Sequence, residues 1–227
     1  HHGGPEILTW QHLPDPTPSR EEVVVRVSAV GINHMDLWVR KGVPGHRFPL
    51  PLVPGSDIVG QVVDWNDHAP LSTGDRVMVA PGVSCGHCSS CLKGEHQLCR
   101  QFGILGESRD GGYAQYVAVP RVNLLPAPEH LTDAEAASIP LAFLTAWHML
   151  VGRARIEPGM TVLVQAGMSG VGSAAIQIAR LHGARVITTA GTDQKVEQAV
   201  ALGADHGINY RENDFVNAVS SIVGKDG

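Results

Sequence analysis

The sequence predicts an α/β protein in two parts: a strand-rich first part, then one half of a parallel nucleotide-binding sheet. Three observations predict it. Runs of β-branched residues, punctuated by Pro and Gly, recur through residues 22–119. After Pro126 the apolar period becomes helical, and from Met160 strands and helices alternate. A glycine-rich turn, Gly167-Met168-Ser169-Gly170-Val171-Gly172, sits where the first of those strands meets the first of those helices.

Residues 22–30, 58–63, 76–80 and 113–119 read as strands of a small barrel with irregular crossings. A polar, cysteine-bearing excursion at 82–101 interrupts them as a surface lobe. Residues 133–137 and 141–151 are helical in character, and 36–40 is helix-like. Then come a strand at 161–165, a helix at 172–182, a strand at 185–190, a helix at 193–202, a short strand at 206–210 and a helix at 214–223. Such a β-α-β-α-β-α series is half of a doubly wound sheet with right-handed crossovers. The expected domains are 1–130 and 131–227, the second lacking its other half. Both ends read as cut: His1-His2 is a tag remnant or native sequence, and 224–227 is a turn that should lead into another strand.

Of the 227 residues, 43% are hydrophobic and 17% charged, with a formal net charge of −5. That length supports a large core and two domains. The mild acidity, with no basic run, excludes a nucleic-acid or anionic-membrane footprint. No apolar stretch is expected to reach membrane-spanning length, and the start has no signal-peptide pattern. Four thiols held as metal ligands would fit a reducing, cytoplasmic compartment.

Cys85, Cys88, Cys91 and Cys99 are the only cysteines, spaced Cys-x2-Cys-x2-Cys-x7-Cys. Four thiolates so close together can close a tetrahedral shell around one zinc, leaving no position for water or substrate, so the metal holds a loop and does no chemistry. Two disulfides are possible on count, but nothing looks secreted. An iron–sulfur cluster is possible from the first three spacings, but Cys99 lies too far on and precedes Arg100 rather than proline. His87 and His96 are spare ligands beside a shell already complete.

The glycine turn follows a buried strand and opens a helix, the context in which backbone N–H groups and the positive end of the helix dipole meet a pyrophosphate. Gly167, Ser169, Gly170, Val171 and Gly172 are the candidate contacts, with Ser169 where the usual fingerprint has its middle glycine. At the end of the second strand, Ala190-Gly191-Thr192 stands where a site for NAD usually holds an acidic residue. Asp193 follows and either caps the helix or turns back to the ribose. Without that carboxylate a 2′-phosphate is tolerated, and Thr192, Lys195 and Tyr210 are the candidates to hold it. The expected cofactor is NADP, with NAD possible.

The chain resembles the medium-chain dehydrogenase/reductase superfamily. The resemblance runs through Gly31-Ile32-Asn33-His34-Met35-Asp36, Pro54-Gly55-Ser56-Asp57, Gly74-Asp75-Arg76-Val77, the four cysteines, Gly111-Gly112-Tyr113-Ala114 and the 167–172 turn. It implies a GroES-like β-barrel with a structural zinc lobe, then a partial Rossmann domain, the active site lying between them. Zinc alcohol dehydrogenases place a cysteine where this chain has Asn33, a histidine where it has Ser56, a glutamate where it has Asp57, and a further cysteine near Leu141. An amide, a hydroxyl and an alkane make no catalytic zinc site. Structural zinc without catalytic zinc resembles the quinone-oxidoreductase-like branch, in which Gly191-Thr192-x-x-Lys195 and Asn209-Tyr210-Arg211 line the adenosine phosphate.

Without a Lewis acid, plain alcohol oxidation is disfavoured, whereas hydride transfer to a quinone or conjugated enone needs less help. Asn33 and Asp36 are the candidate catalytic residues: Asn33 to hydrogen-bond the acceptor oxygen, Asp36 to orient the local backbone or the nicotinamide ribose. His34 is a possible proton relay or an ordinary hydrogen-bonded histidine, and Trp38 a packing residue. The expected partners are a small-molecule substrate and, from the resemblance, a second copy in a homodimer. The rivals are a zinc-dependent alcohol dehydrogenase with unusual ligands and a nucleotide-binding scaffold without turnover.

Overall fold

The computed structural model describes residues 1–64 and 71–224, which form two compact units divided at Leu141 and Ala142. The closing turn expected at 224–227 lies largely outside the described residues.

The first unit holds β1 (Glu22–Gly31), α1 (His34–Lys41), β2 (Asp57–Asp64), β3 (Arg76–Val79), β4 (Gly82–Val83), α2 (Ser89–Leu92), β5 (Gly103–Ile104), β6 (Tyr116–Pro120), β7 (Leu124–Pro126) and α3 (Asp133–Ala136). Five strands form one antiparallel sheet in the order β6-β1-β2-β3-β7. Strand alternation sends Val23, Val25, Val77, Val79, Val117 and Val119 into a core with Ile58, Val62 and Leu105. Register shifts at Val24/Val25 and Val27/Ala29 bend β1. At Gly60 a side chain would overlap the Arg26 carbonyl, so the close β1–β2 approach needs glycine.

The strand expected at 113–119 begins only at Tyr116. The N–H groups of Gly111, Gly112 and Tyr113 are committed elsewhere, donating to the carbonyls of Val53, Gly55 and Pro54 at 2.7–2.9 Å. This lays the Tyr113 ring over Gly55, where φ is +95° and any side chain would strike that ring. The unit also runs past the expected boundary at 130. Arg76 bonds Asp133 at 2.6 Å and the carbonyls of Pro128 and Leu131 at 2.9 and 2.8 Å, and Ala136 and Ala137 pack on Val59.

The second unit contains most of α4 (Pro140–Trp147), a π-helical turn (His148–Arg153), β8 (Thr161–Val164), α5 (Gly170–Leu181), β9 (Arg185–Ala190), α6 (Asp193–Ala201), β10 (His206–Asn209) and α7 (Phe215–Val223). Its three strands are parallel in the order β10-β9-β8, as the alternating pattern required. Ala174, Ala175, Ile176, Ile178 and Ala179 carry α5 onto Val164 and Val186 of the sheet. The helix expected through 151 widens at its end: Ala154 N–H donates to Met149 O at 2.8 Å, five residues back, with Gly152 in the widened turn.

Contrary to the sequence expectation, Asp133–Arg153 is long and apolar enough, with a mean hydropathy of 1.3, to cross a membrane by composition alone. The span is interrupted at 137–139, and Ala136, Ala146 and Leu150 are core residues of their units.

Candidate functional site

The cysteine lobe rises from the β4–β5 pair, Gly82 against Ile104 and Val83 against Gly103. All four sulfurs lie within 4.8 Å of one another, with Cys85–Cys91 at 3.9 Å and Cys88–Cys91 at 3.5 Å, and no disulfide forms. Sulfurs bonded tetrahedrally to zinc at about 2.3 Å stand about 3.8 Å apart. The donor set therefore fits a closed four-thiolate shell. Gln101 N–H donates to Cys99 Sγ at 3.3 Å, and hydrogen bonding from Ser84 chiefly brings the Cys91 thiol down to about 6. The histidines are engaged outside the shell: His87 Nδ1 sits 2.7 Å from Cys85 O, and His96 Nδ1 3.0 Å from Ser84 Oγ.

A second cluster gathers at the start of α1. Asn33 is its N-cap, and the Asp36 carboxylate reaches back to accept Asn33 N–H at 2.7 Å. The other Asp36 oxygen accepts Gly55 N–H at 3.2 Å, and Tyr113 Oη donates to Asp36 at 3.0 Å. Burial, then the Asp36 charge, push the Tyr113 phenol above its ordinary range. The Asn33 amide donates through Nδ2 to Asp57 at 2.9 Å, and the other Asp57 oxygen accepts Leu141 N–H at 2.6 Å. Asp57 is 2% exposed, and burial lifts its carboxyl from 3.8 to about 6 against the pull of those two hydrogen bonds. Beside it Ser56 is fully buried, its hydroxyl without a partner.

The structure thus brings Asn33 and Asp36 together, and shows Asp36 organising backbone at Asn33 and Gly55. Sequence reasoning missed Tyr113 as the third member and Asp57 as the partner of Asn33. The cues were present: Gly111-Gly112 before Tyr113 marks a tight backbone approach, and Ser56-Asp57 is a polar pair opening an otherwise apolar strand.

In the second unit the glycine turn leaves β8 through Ala166, held at φ 54°, a conformation few non-glycine residues adopt. A side chain at Gly167 would overlap the Thr188 hydroxyl, and one at Gly172 the Ala166 carbonyl, whereas Gly170 meets nothing nearer than Ala142 Cβ at 3.9 Å. Two glycines serve the close packing of the turn, and one keeps its face open to a ligand. Ser169 caps α5, its Oγ accepting Gly172 N–H at 3.0 Å. The N–H groups of Gly170 and Val171, in the first turn, have no intrahelical acceptor and remain for a phosphate. This backbone fits a pyrophosphate.

After β9 the cap of α6 is Thr192, whose hydroxyl accepts Lys195 N–H at 3.3 Å; it is not Asp193. Asp193 accepts the Asn209 amide at 2.8 Å. A side chain built on Gly191 would meet Tyr210 Oη at 2.8 Å and Arg211 Nε at 3.4 Å, so these two donors converge on that glycine. Lys195 is exposed on the first turn of α6.

Comparison with known proteins finds a match in each part of the chain. Residues 19–129 match the alcohol dehydrogenase GroES-like domain, and 170–227 the zinc-binding dehydrogenase family. Human quinone oxidoreductase is 30% identical over 99% of this chain and 61% of its own length, and an alcohol dehydrogenase of Geobacillus stearothermophilus is 35% identical over 96% and 64%. A crystal structure of an NAD-dependent alcohol dehydrogenase superposes at a TM-score of 0.95, with 49% identity, over all of this chain and 66% of its own. The quinone oxidoreductase of Thermus thermophilus, also solved in complex with NADPH, gives 0.68 with 35% identity over 89% and 56%. The chain thus spans about three fifths of the length of the curated relatives it matches.

Proposed function

Because this chain belongs to the medium-chain dehydrogenase/reductase superfamily, we propose that it carries the cofactor turn and the acceptor-binding residues of an NAD(P)H-dependent oxidoreductase that reduces quinones or conjugated enones. Cys85, Cys88, Cys91 and Cys99 hold one structural zinc, and no catalytic zinc takes part. A bound reduced nicotinamide supplies the hydride, and solvent supplies the balancing proton. The residues of this chain hold the pyrophosphate at Gly170 and Val171 and hydrogen-bond the acceptor through Asn33.

The observation that carries this reading is the chemistry at positions 33, 56, 57 and 141. Asn33 and Leu141 each give one N–H to Asp57, both Asp57 oxygens are occupied, and the Ser56 hydroxyl is sealed from solvent. Such a set has an amide, a hydroxyl and one carboxylate where a catalytic zinc needs soft or imidazole ligands. The similarity to the NAD-dependent alcohol dehydrogenase structure favours a second reading, zinc-dependent alcohol oxidation. Metal analysis and turnover separate them. We expect one zinc per chain, with quinone or enone reduction by reduced nicotinamide and negligible oxidation of simple alcohols. Two zinc ions per chain, with alcohol oxidation lost on chelation, would select the other reading.

For the cofactor we propose NADPH. Asp193 is tied to Asn209 rather than free for a ribose diol, and Tyr210 and Arg211 converge on Gly191. One charge-assisted contact to a 2′-phosphate is worth about 1.5–3 kcal/mol, so the preference over NADH should be roughly ten- to a hundredfold. Lys195→Ala is expected to erase most of it with NADH binding nearly unchanged, read by titrating both cofactors. Equal losses for both cofactors would remove Lys195 from the phosphate site.

A further inference from the structure

We propose that Asp57 is a positioning residue: its buried carboxylate fixes the Asn33 amide in one of its two orientations, nitrogen toward Asp57, and so sets which groups Asn33 turns to the acceptor. This rests on the role given to Asn33 above.

An asparagine amide is nearly symmetric in shape, and its two orientations differ only in what they donate and accept. A neighbour that can only accept removes the ambiguity. Ionised Asp57 is such a neighbour, and its geometry is fully committed: one oxygen to Asn33 Nδ2 at 2.9 Å, the other to Leu141 N–H at 2.6 Å. The Asn33 backbone is pinned independently by Asp36, so the amide torsion is the freedom left for Asp57 to fix. Asn33 then presents Oδ1 and its second N–H away from Asp57.

The arrangement is costly to the fold. A carboxylate 2% exposed is paired with a neutral amide and a backbone N–H, with no cation among the described residues bonded to it, beside a buried serine hydroxyl without a partner. Packing alone favours a neutral group here. The titratable groups facing Asp57 are Asp36 of α1 and the phenol of Tyr113, and neither neutralises it. Below the titration of Asp57 its acid proton can donate to Asn33 Oδ1, and the amide is released to turn over.

Two measurements test this. With 15N-labelled asparagine, the Asn33 side-chain amide signal is expected to titrate near pH 6 and to lose that titration in Asp57→Asn. In turnover, Asp57→Asn is expected to lower kcat for quinone reduction at least about tenfold with KM for NADPH little changed, and to abolish the acid limb of the pH–rate profile. The exchanged pair, Asn33→Asp with Asp57→Asn, rebuilds both hydrogen bonds, since residue 57 still accepts Leu141 N–H and now donates to residue 33. It should melt no lower than Asp57→Asn alone, without recovering kcat. Recovery of kcat along with stability would make the pair merely structural and overturn the proposal, as would an Asn33 amide insensitive to pH. If the wild-type protein turns over no quinone or enone yet its Asn33 amide titrates as expected, the functional reading fails and the positioning role stands.

Discussion

Cys91→Ser is expected to strip the protein of its zinc while leaving the second unit folded. In peptides folded by a four-ligand zinc site, the metal contributes about 10–16 kcal/mol. One ligand's share is about 2.5–4 kcal/mol, or a roughly sixty- to seven-hundredfold loss of affinity. The damage should stop at the lobe's base. Leu105 is fully buried in the β-sheet core, and the Asn123 amide holds the carbonyls of Ala80 and Gly82 at 2.6 Å each, so both strands flanking the lobe are anchored without metal. The α5 core shares no residue with it. Metal analysis after dialysis should fall from one zinc to none, and amide exchange should accelerate within 82–101 and not in β8–β10. Retained zinc, or a disulfide among the remaining thiols, would refute a four-thiolate shell.

This lobe was legible in the sequence because its chemistry is local: the cysteines are close along the chain and need only a turn to meet. The parallel sheet was legible for a similar reason, since each strand, turn and helix carries its own period and cap. What escaped was non-local. Tyr113 meets Asp36 across 77 residues, and Asn33 meets Asp57 across 24. No period or spacing announces such pairs; they follow from how β1, β2 and the 111–113 segment stack. The same stacking shortened the strand expected from Tyr113, because backbone groups bonded to 53–55 cannot also join a ladder. The strands β4, β5 and β7 were too short to show a period, and the π turn after α4 has no signature beyond its glycine.

Asp57→Asn is expected to change how stability depends on pH, and the direction follows from burial. The Asp57 carboxyl stands at about 6 in the fold against 3.8 as its ordinary value. Below about pH 4 both folded and unfolded chains hold the proton, and Asp57 contributes no slope. Between about 4 and 6 the unfolded chain has released it and the folded chain has not, so stability falls as pH rises. Above about 6 both are ionised and the full cost persists, about 3 kcal/mol at 1.36 kcal/mol per pKa unit. Other carboxylates slope the opposite way: hydrogen bonds from Arg109 and Ser19 hold Glu22 low despite its burial, and Thr132 does the same for Glu135. The informative quantity is therefore the difference between variant and wild type, measured by urea unfolding at each pH. That difference should move toward the variant by up to about 3 kcal/mol from about pH 4 to about pH 6, then stay level. A constant offset from altered hydrogen bonds to Asn33 and Leu141 shifts the curve without tilting it. Parallel curves across that range would mean that Asp57 ionises as freely in the fold as in water. Of the two groups bonded to Asp57, the Leu141 N–H is fixed by the backbone, whereas the Asn33 amide has an orientation that the charge would set on the reading proposed above.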